Sequence, residues 1–308
     1  MAAESEQPVA FEAVAAAVVP GAPRLSGAQA PLLQQIEVID DTGVARGLRI
    51  PAEAPLTVYV DRRELVTLMT LGAAPELMVL GWLLNQGLVD RVQDIEAIDV
   101  DWSVHAAAVK TRRGIARWAE RTARRVVTTG CGQGTVFGDQ MAQIDAVRLP
   151  APGEARIRRE TLAAMIDAMR SRYDVHRAAG SVHGCALFRD TRMMVFVEDV
   201  GRHNAIDAVA GWMAMHGVGG GDKAFYTTGR LTSEMVIKSA RMGVPIIVSR
   251  NGVTAMGHDL ASRLGMALFG RAAARKFICY CGFERWVPDA GPPDAETADP
   301  SVDRASSG

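Results

Sequence analysis

Residues 193–213 read Met193-Met-Val-Phe-Val-Glu-Asp-Val-Gly-Arg-His-Asn-Ala-Ile-Asp-Ala-Val-Ala-Gly-Trp-Met213, and this stretch decides the fold class. The apolar run Met193 to Val197 has the length of a buried strand. Ile206, Val209, Ala210 and Met213 then fall at i, i+3, i+4 and i+7, one face of a helix. A strand that passes through a short polar loop into a helix is the unit of an α/β sheet. Working outward, the unit recurs. Ala224 to Thr227, Pro245 to Val248 and Met266 to Phe269 are further strand-length apolar runs, with helices expected over Ser233 to Met242 and Asp259 to Leu264. Upstream, Leu162, Met165, Ile166 and Met169 repeat the helical spacing. A mainly parallel sheet with helices on both faces is expected, so the fold class is α/β.

Farther out the pattern changes. Leu56 to Val60 has the composition of a strand, and Pro75 to Leu88 reads as a buried helix with Pro in its first turn. These belong to a smaller N-terminal domain, residues 36–125, followed by the α/β domain, residues 126–285. Residues 1–35 and 286–308, rich in Ala, Pro and small polar residues, read as disordered tails. The 308 residues carry 34 basic and 35 acidic side chains, a formal net charge of −1, so there is no overall field to hold nucleic acid or an anionic membrane surface. The four cysteines are too few and too unevenly placed for a secreted disulfide framework. The start of the chain is acidic, and its apolar stretch Val14 to Val19 is too short for a signal peptide or a span. A cytoplasmic protein with reduced thiols is expected.

In open α/β sheets, ligands bind beyond the carboxyl ends of the strands. Those ends here carry Glu198-Asp-Val-Gly-Arg-His-Asn204, Thr227-Thr-Gly-Arg230, Ser249-Arg-Asn-Gly252 and Gly270-Arg271. Three of these loops place Gly directly before Arg: Arg202, Arg230 and Arg271. Gly permits close backbone approach, and Arg offers a bidentate fork for phosphate. A phosphorylated or nucleotide-like ligand is therefore indicated. Asp199 and Asn204 are candidate helix caps, His203 a candidate acid or ligand contact, and Glu234 with Lys238 an i, i+4 surface pair. Thr128-Thr-Gly-Cys-Gly-Gln-Gly-Thr135 surrounds Cys131 with glycines, as expected for an accessible thiol acting as nucleophile or sulfur carrier, whereas Cys185 sits in an apolar run and should be inert. Cys279-Tyr-Cys281 is too tightly spaced for a zinc pair, so no metal is expected.

The string Glu198-Asp-Val-Gly-Arg-His-Asn-Ala-Ile-Asp207, Gly229-Arg230 followed by Glu234-Met235 and Lys238, and glycine-flanked Cys131 together resemble the FdhD family of formate dehydrogenase accessory sulfurtransferases. Ser181-Val-His-Gly184 and Pro75 to Gly87 add to the resemblance, which spans about residues 50 to 280. It implies a cytidine-deaminase-like three-layer α/β/α domain with a smaller N-terminal α+β domain, acting as a homodimer. It also implies that persulfide sulfur passes from a cysteine desulfurase to bis-molybdopterin guanine dinucleotide, bound as a client, for the formate dehydrogenase catalytic subunit. Cys131 matches the first cysteine of the family's Cys-Gly-x-Cys-Gly loop; Gly134 stands at the second. By position, the cofactor segment is Phe269, Gly270, Arg271, Ala272, Ala273 and Ala274, joined by Arg202, His203, Arg230 and Ser249. The loop Ser249-Arg-Asn-Gly-Val-Thr254 departs from the family's Ser-Ala-Pro-Thr. Deaminase activity is not implied, because the zinc signature of deaminases is missing. With the second cysteine replaced, a chaperone that escorts the cofactor without transferring sulfur stands as the alternative.

Overall fold

A computed structural model describes residues 8–115, 144, 147–172 and 174–288 of the chain. The first half is β1 (Phe11–Ala13), β2 (Arg24–Leu25), β3 (Leu33–Ile39), β4 (Ala45–Pro51), β5 (Ala54–Val60), β6 (Arg63–Thr70), α1 (Pro75–Asn85), β7 (Ile95–Asp101) and β8 (Ala106–Thr111). The second half is β9 (Ile157–Arg158), α2 (Arg159–Arg172), α3 (Asp174–Ala179), β10 (His183–Arg189), β11 (Arg192–Asp199), α4 (Arg202–His216) and β12 (Ala224–Thr227). It continues with α5 (Ser233–Arg241), β13 (Ile246–Ser249), α6 (Ala255–Arg263), β14 (Ala267–Ala273), β15 (Lys276–Cys281) and β16 (Trp286–Val287).

Among the described residues the larger sheet runs β1-β11-β10-β12-β13-β14-β15 and the smaller one β2-β7-β8-β5-β6, while β3 pairs only with β4 and β9 only with β16. Side chains of the larger sheet alternate between two cores, as the pleat requires. Cys185, Leu187, Val195, Val197, Phe225, Ile247 and Leu268 join α4, α5 and α6 on one face. Ala186, Phe188, Phe196, Tyr226, Val248 and Phe269 join α2 on the other. Both faces are covered, as the apolar runs predicted. The first core also takes in α1 and the smaller sheet. That continuity rests on two glycines: a Cβ on Gly81 would stand 1.8 Å from the Asp207 carbonyl oxygen, and one on Gly211 2.0 Å from that of Leu77. Helices α1 and α4 therefore cross backbone to backbone.

The sheet is mixed rather than mainly parallel. Only β12–β13 and β13–β14 are parallel; the other neighbouring pairs are antiparallel. Tight hairpins cause this: two residues, Asp190 and Thr191, join β10 to β11, and Ala274–Arg275, both at positive φ, join β14 to β15. A connection that short admits only antiparallel pairing. Both expected tails also contribute structure. In the N-terminal one, β1 edges the larger sheet beside β11 and β2 edges the smaller beside β7. In the C-terminal one, Trp286 packs its ring on Phe269 and Phe277. Composition misleads here because an edge strand is held by backbone pairing, which any extended segment can supply. No helix among the described residues is long and apolar enough to cross a membrane.

Candidate functional site

Although β10 runs antiparallel between β11 and β12, the carboxyl ends of β11, β12, β13 and β14 reach the same edge. The register shows it: Asp199 faces His183, Cys185 faces Thr227, Thr227 faces Ser249, and Val248 faces Phe269. The polar loops are laced into one crest. Ser249 Oγ donates to the Gly229 carbonyl at 2.6 Å and accepts from the Asn251 amide at 2.9 Å. Asn251 Nδ2 donates to the Thr228 carbonyl at 2.6 Å, and its own carbonyl accepts the Arg271 amide at 2.9 Å. Glycine is required at two places: a Cβ on Gly229 would meet Arg202 Cδ at 2.5 Å, and one on Gly270 would meet the Tyr280 ring at 2.8 Å.

The crest gathers some of the residues indicated by the sequence and not others. Arg202, the first residue of α4, lies across Gly229 with its side chain largely buried, while Arg230 and Arg271 are exposed. Arg271 is held at φ 52° on the turn out of Gly270. Exposed Arg250 joins them from the loop after β13; its position in that loop was the available signal. Ser249, Phe269 and Ala272 have buried side chains, the first bracing the crest and the other two filling the second core. Ala273 and Ala274 are exposed at the hairpin turn, which Arg275 pins to Asp167 of α2 at 2.7 Å. Cys131 lies outside the described residues.

Beneath the crest lies a buried polar layer. Asp199 does not cap α4; Gly201 is its N-cap. Its carboxylate instead accepts from Thr70 Oγ1 at 2.5 Å and the Leu71 amide at 3.0 Å on one oxygen, and from the Gly201 amide at 2.9 Å and Asn204 Nδ2 at 2.8 Å on the other. This ties the loop after β6 to the crest. Burial still pushes the Asp199 carboxyl up to about 6. Glu198 accepts the amides of Val175 at 2.9 Å and His176 at 3.2 Å at the start of α3, and burial pushes it up to about 7.

The Glu234–Lys238 spacing read as a surface pair; the structure buries it. Lys238 is 0% exposed, with Nζ 2.7 Å from Asp207 Oδ2 and 3.8 Å from Glu234 Oε1. An i, i+4 spacing reports that two side chains share a helix face, not which way that face points. His203, 2% exposed, sets Nε2 3.3 Å from Glu234 Oε2. Burial, with the Lys238 and Arg202 cations, holds its imidazole far below the ordinary range, at about 2. Cys185 is buried beside Thr227 Oγ1 at 3.3 Å, and burial pushes its thiol up to about 12, so it is inert as its apolar run predicted. Chemically the arrangement offers cationic forks on a rigid sheet edge above a buried acid–base layer.

Comparison with known proteins follows the same lines. The FdhD/NarQ family profile matches residues 51–287. The sulfur carrier protein FdhD of Listeria monocytogenes serotype 4b (strain F2365) is 28% identical over 236 residues, covering 77% of this chain and 90% of that protein. That of Geobacillus kaustophilus (strain HTA426) is 29% identical over 231 residues, 75% and 87% of the two chains. Among solved structures, a putative formate dehydrogenase accessory protein from Desulfotalea psychrophila superposes with a TM-score of 0.66 at 26% identity, covering 83% of this chain and 98% of that one.

Proposed function

The chain belongs to the FdhD/NarQ family, and from that premise we propose that it carries persulfide sulfur on Cys131, taken from a cysteine desulfurase, to bis-molybdopterin guanine dinucleotide held at the crest, for use by a formate dehydrogenase. The observation that carries this reading is the convergence of Arg202, Arg230 and Arg271 on one sheet edge. Phosphate oxygens suit such forks, and the fixed backbone sets where each arginine starts. In the loading step, the Cys131 thiolate attacks the outer sulfur of the donor persulfide. A bond forms between Cys131 Sγ and that sulfur, the donor's S–S bond breaks, and the donor leaves as a thiolate, with no net oxidation. Residues 126–285, to whose sheet β1 adds an edge strand, are read as a deaminase-like domain and residues 36–125 as the smaller one, in a homodimer.

Gly134 in place of a second loop cysteine favours a second reading, a chaperone that delivers the cofactor without transferring sulfur. Intact-mass analysis after incubation with a cysteine desulfurase and cysteine separates the two. Wild type is expected to gain one reductant-sensitive sulfur atom and Cys131→Ala none. No gain in wild type removes the carrier role and leaves the chaperone.

A further inference from the structure

Under the arginines runs a chain of buried polar contacts that neither phosphate binding nor a loop cysteine explains. Asn85 Nδ2 of α1 donates to Asp207 Oδ1 at 2.7 Å. Asp207 Oδ2 meets Lys238 Nζ at 2.7 Å, Lys238 lies 3.8 Å from Glu234 Oε1, and Glu234 Oε2 lies 3.3 Å from His203 Nε2. Among the described residues the chain ends at a nitrogen without a hydrogen-bond partner: His203 Nδ1 is buried and makes none there, and Glu234 Oε1 has only the 3.8 Å ion pair with Lys238. Buried polar atoms left unsatisfied are costly, and a merely structural network would have closed them. His203 is the second residue of α4, directly after Arg202.

We propose that Glu234 and His203 form a proton-holding pair one layer beneath the crest, positioned by Lys238, Asp207 and Asn85, which takes up a proton when an anionic ligand occupies the crest. The proposal deepens the cofactor-binding reading and rests on it. The pair exists in two states. With one proton, Glu234 is a carboxylate facing Nε2–H, and Nδ1 presents a lone pair. With two, either Nδ1 or the Glu234 carboxyl also carries a hydrogen, and the pair's net negative charge is gone. The step between them forms one N–H or O–H bond with a proton from solvent and changes no oxidation state. An anion above the pair disfavours the state bearing the extra negative charge, so it draws the proton in.

The charged and titratable groups around the pair set where this happens. They are Arg202 and Asp207 on α4, Lys238 on α5 and His183 on β10. Burial raises the Glu234 carboxyl and lowers the His203 imidazole, which favours the one-proton and shared-proton forms over an imidazolium without a counter-charge. Asp207 and Lys238 are positioning residues: they hold Glu234 in place and cancel each other's charge.

Isothermal titration of guanosine diphosphate, repeated in buffers of differing ionisation enthalpy, reads the proton uptake directly. Wild type is expected to take up protons on binding, and Glu234→Gln to bind while losing that uptake. Histidine side-chain ¹⁵N spectra supply a readout independent of the ligand: Nδ1 of His203 should be unprotonated at neutral pH in wild type, Glu234→Gln should redistribute its tautomers, and Lys238→Met should raise its pKa. Should Glu234→Gln not fold, Asp207→Asn with Lys238→Met, which removes both charges together, is titrated in its place and should shift the His203 signals. Unchanged uptake together with unchanged His203 signals overturns the proposal. If guanosine diphosphate fails to bind wild type, the cofactor-binding reading and the ligand coupling fall together, while the nitrogen shifts still decide whether the pair exists.

Discussion

At the scale of single residues, the buried acids near the crest govern how the protein responds to pH. Glu198 and Asp199 both sit in the folded protein above their ordinary values, at about 7 and about 6. For an acid raised in this sense, the unfolded chain loses its proton first as pH climbs. The contribution to stability is therefore full below about pH 4 and declines until the folded value is passed. Glu198→Gln cannot ionise, and it keeps an oxygen for only one of the Val175 and His176 amides, which the two carboxylate oxygens accept separately. We expect it to lower stability at acid pH through the lost acceptor and to flatten the fall in stability between about pH 4 and about pH 7, as read from urea unfolding across that range. A parallel slope in the variant would reject the assignment. The residues also differ in how well the sequence announced them. Glycine directly before arginine at successive strand ends was legible because both residue types carry a backbone or charge reason for standing there. Lys238 was not, since nothing in a sequence tells a buried cation from a solvated one until its partner Asp207 is brought across from another helix.

At the scale of elements, the strands of the larger sheet that precede helices were legible from their apolar runs, whereas β10 was not read as a strand. Its residues Cys185 to Phe188 are buried on both faces like those of β12 and β13, but no helix follows to frame the run as a strand–helix unit. β15 was not read as a strand either, for a different reason. The turn Ala274–Arg275 uses positive φ without a glycine, so it carries none of the usual hairpin signals. Nor could the crossing of α1 and α4 be seen, because a glycine inside a helical pattern reads as a weakness until the neighbouring backbone fills the space. Its importance can be measured. Gly211→Ala puts a methyl 2.0 Å from the Leu77 carbonyl oxygen, where only a shift of the whole helix can relieve the clash. A loss of about 3 kcal/mol is expected in urea unfolding. Gly219→Ala, with nothing within 4 Å of the added methyl, is the matched control and should be close to neutral. Equal effects at the two sites would show that the close crossing contributes little.

At the scale of the whole molecule, one apolar core links the two sheets through α1 and α4, so the crest and the smaller sheet rest on a single packed interior. The same union is made a second time at the edges, where β1 closes the larger sheet on β11 and β2 borders the smaller on β7. Removing residues 1–25 uncovers an edge of each sheet, and exposed edges invite pairing between chains. The truncated protein is expected to form soluble aggregates on size-exclusion chromatography and to unfold at lower urea than the full chain; a monodisperse product of full stability would show that the two strands are dispensable. These pairings also set a chronology. Phe11 must wait for Val197, and Arg24 for Ala97, so during synthesis the opening segment leaves the ribosome long before its partners exist. Contacts so distant along the chain form late. Until those partners emerge β1 and β2 have no strand to pair with, and it is then, rather than after the fold has closed, that a holding chaperone would find most to bind.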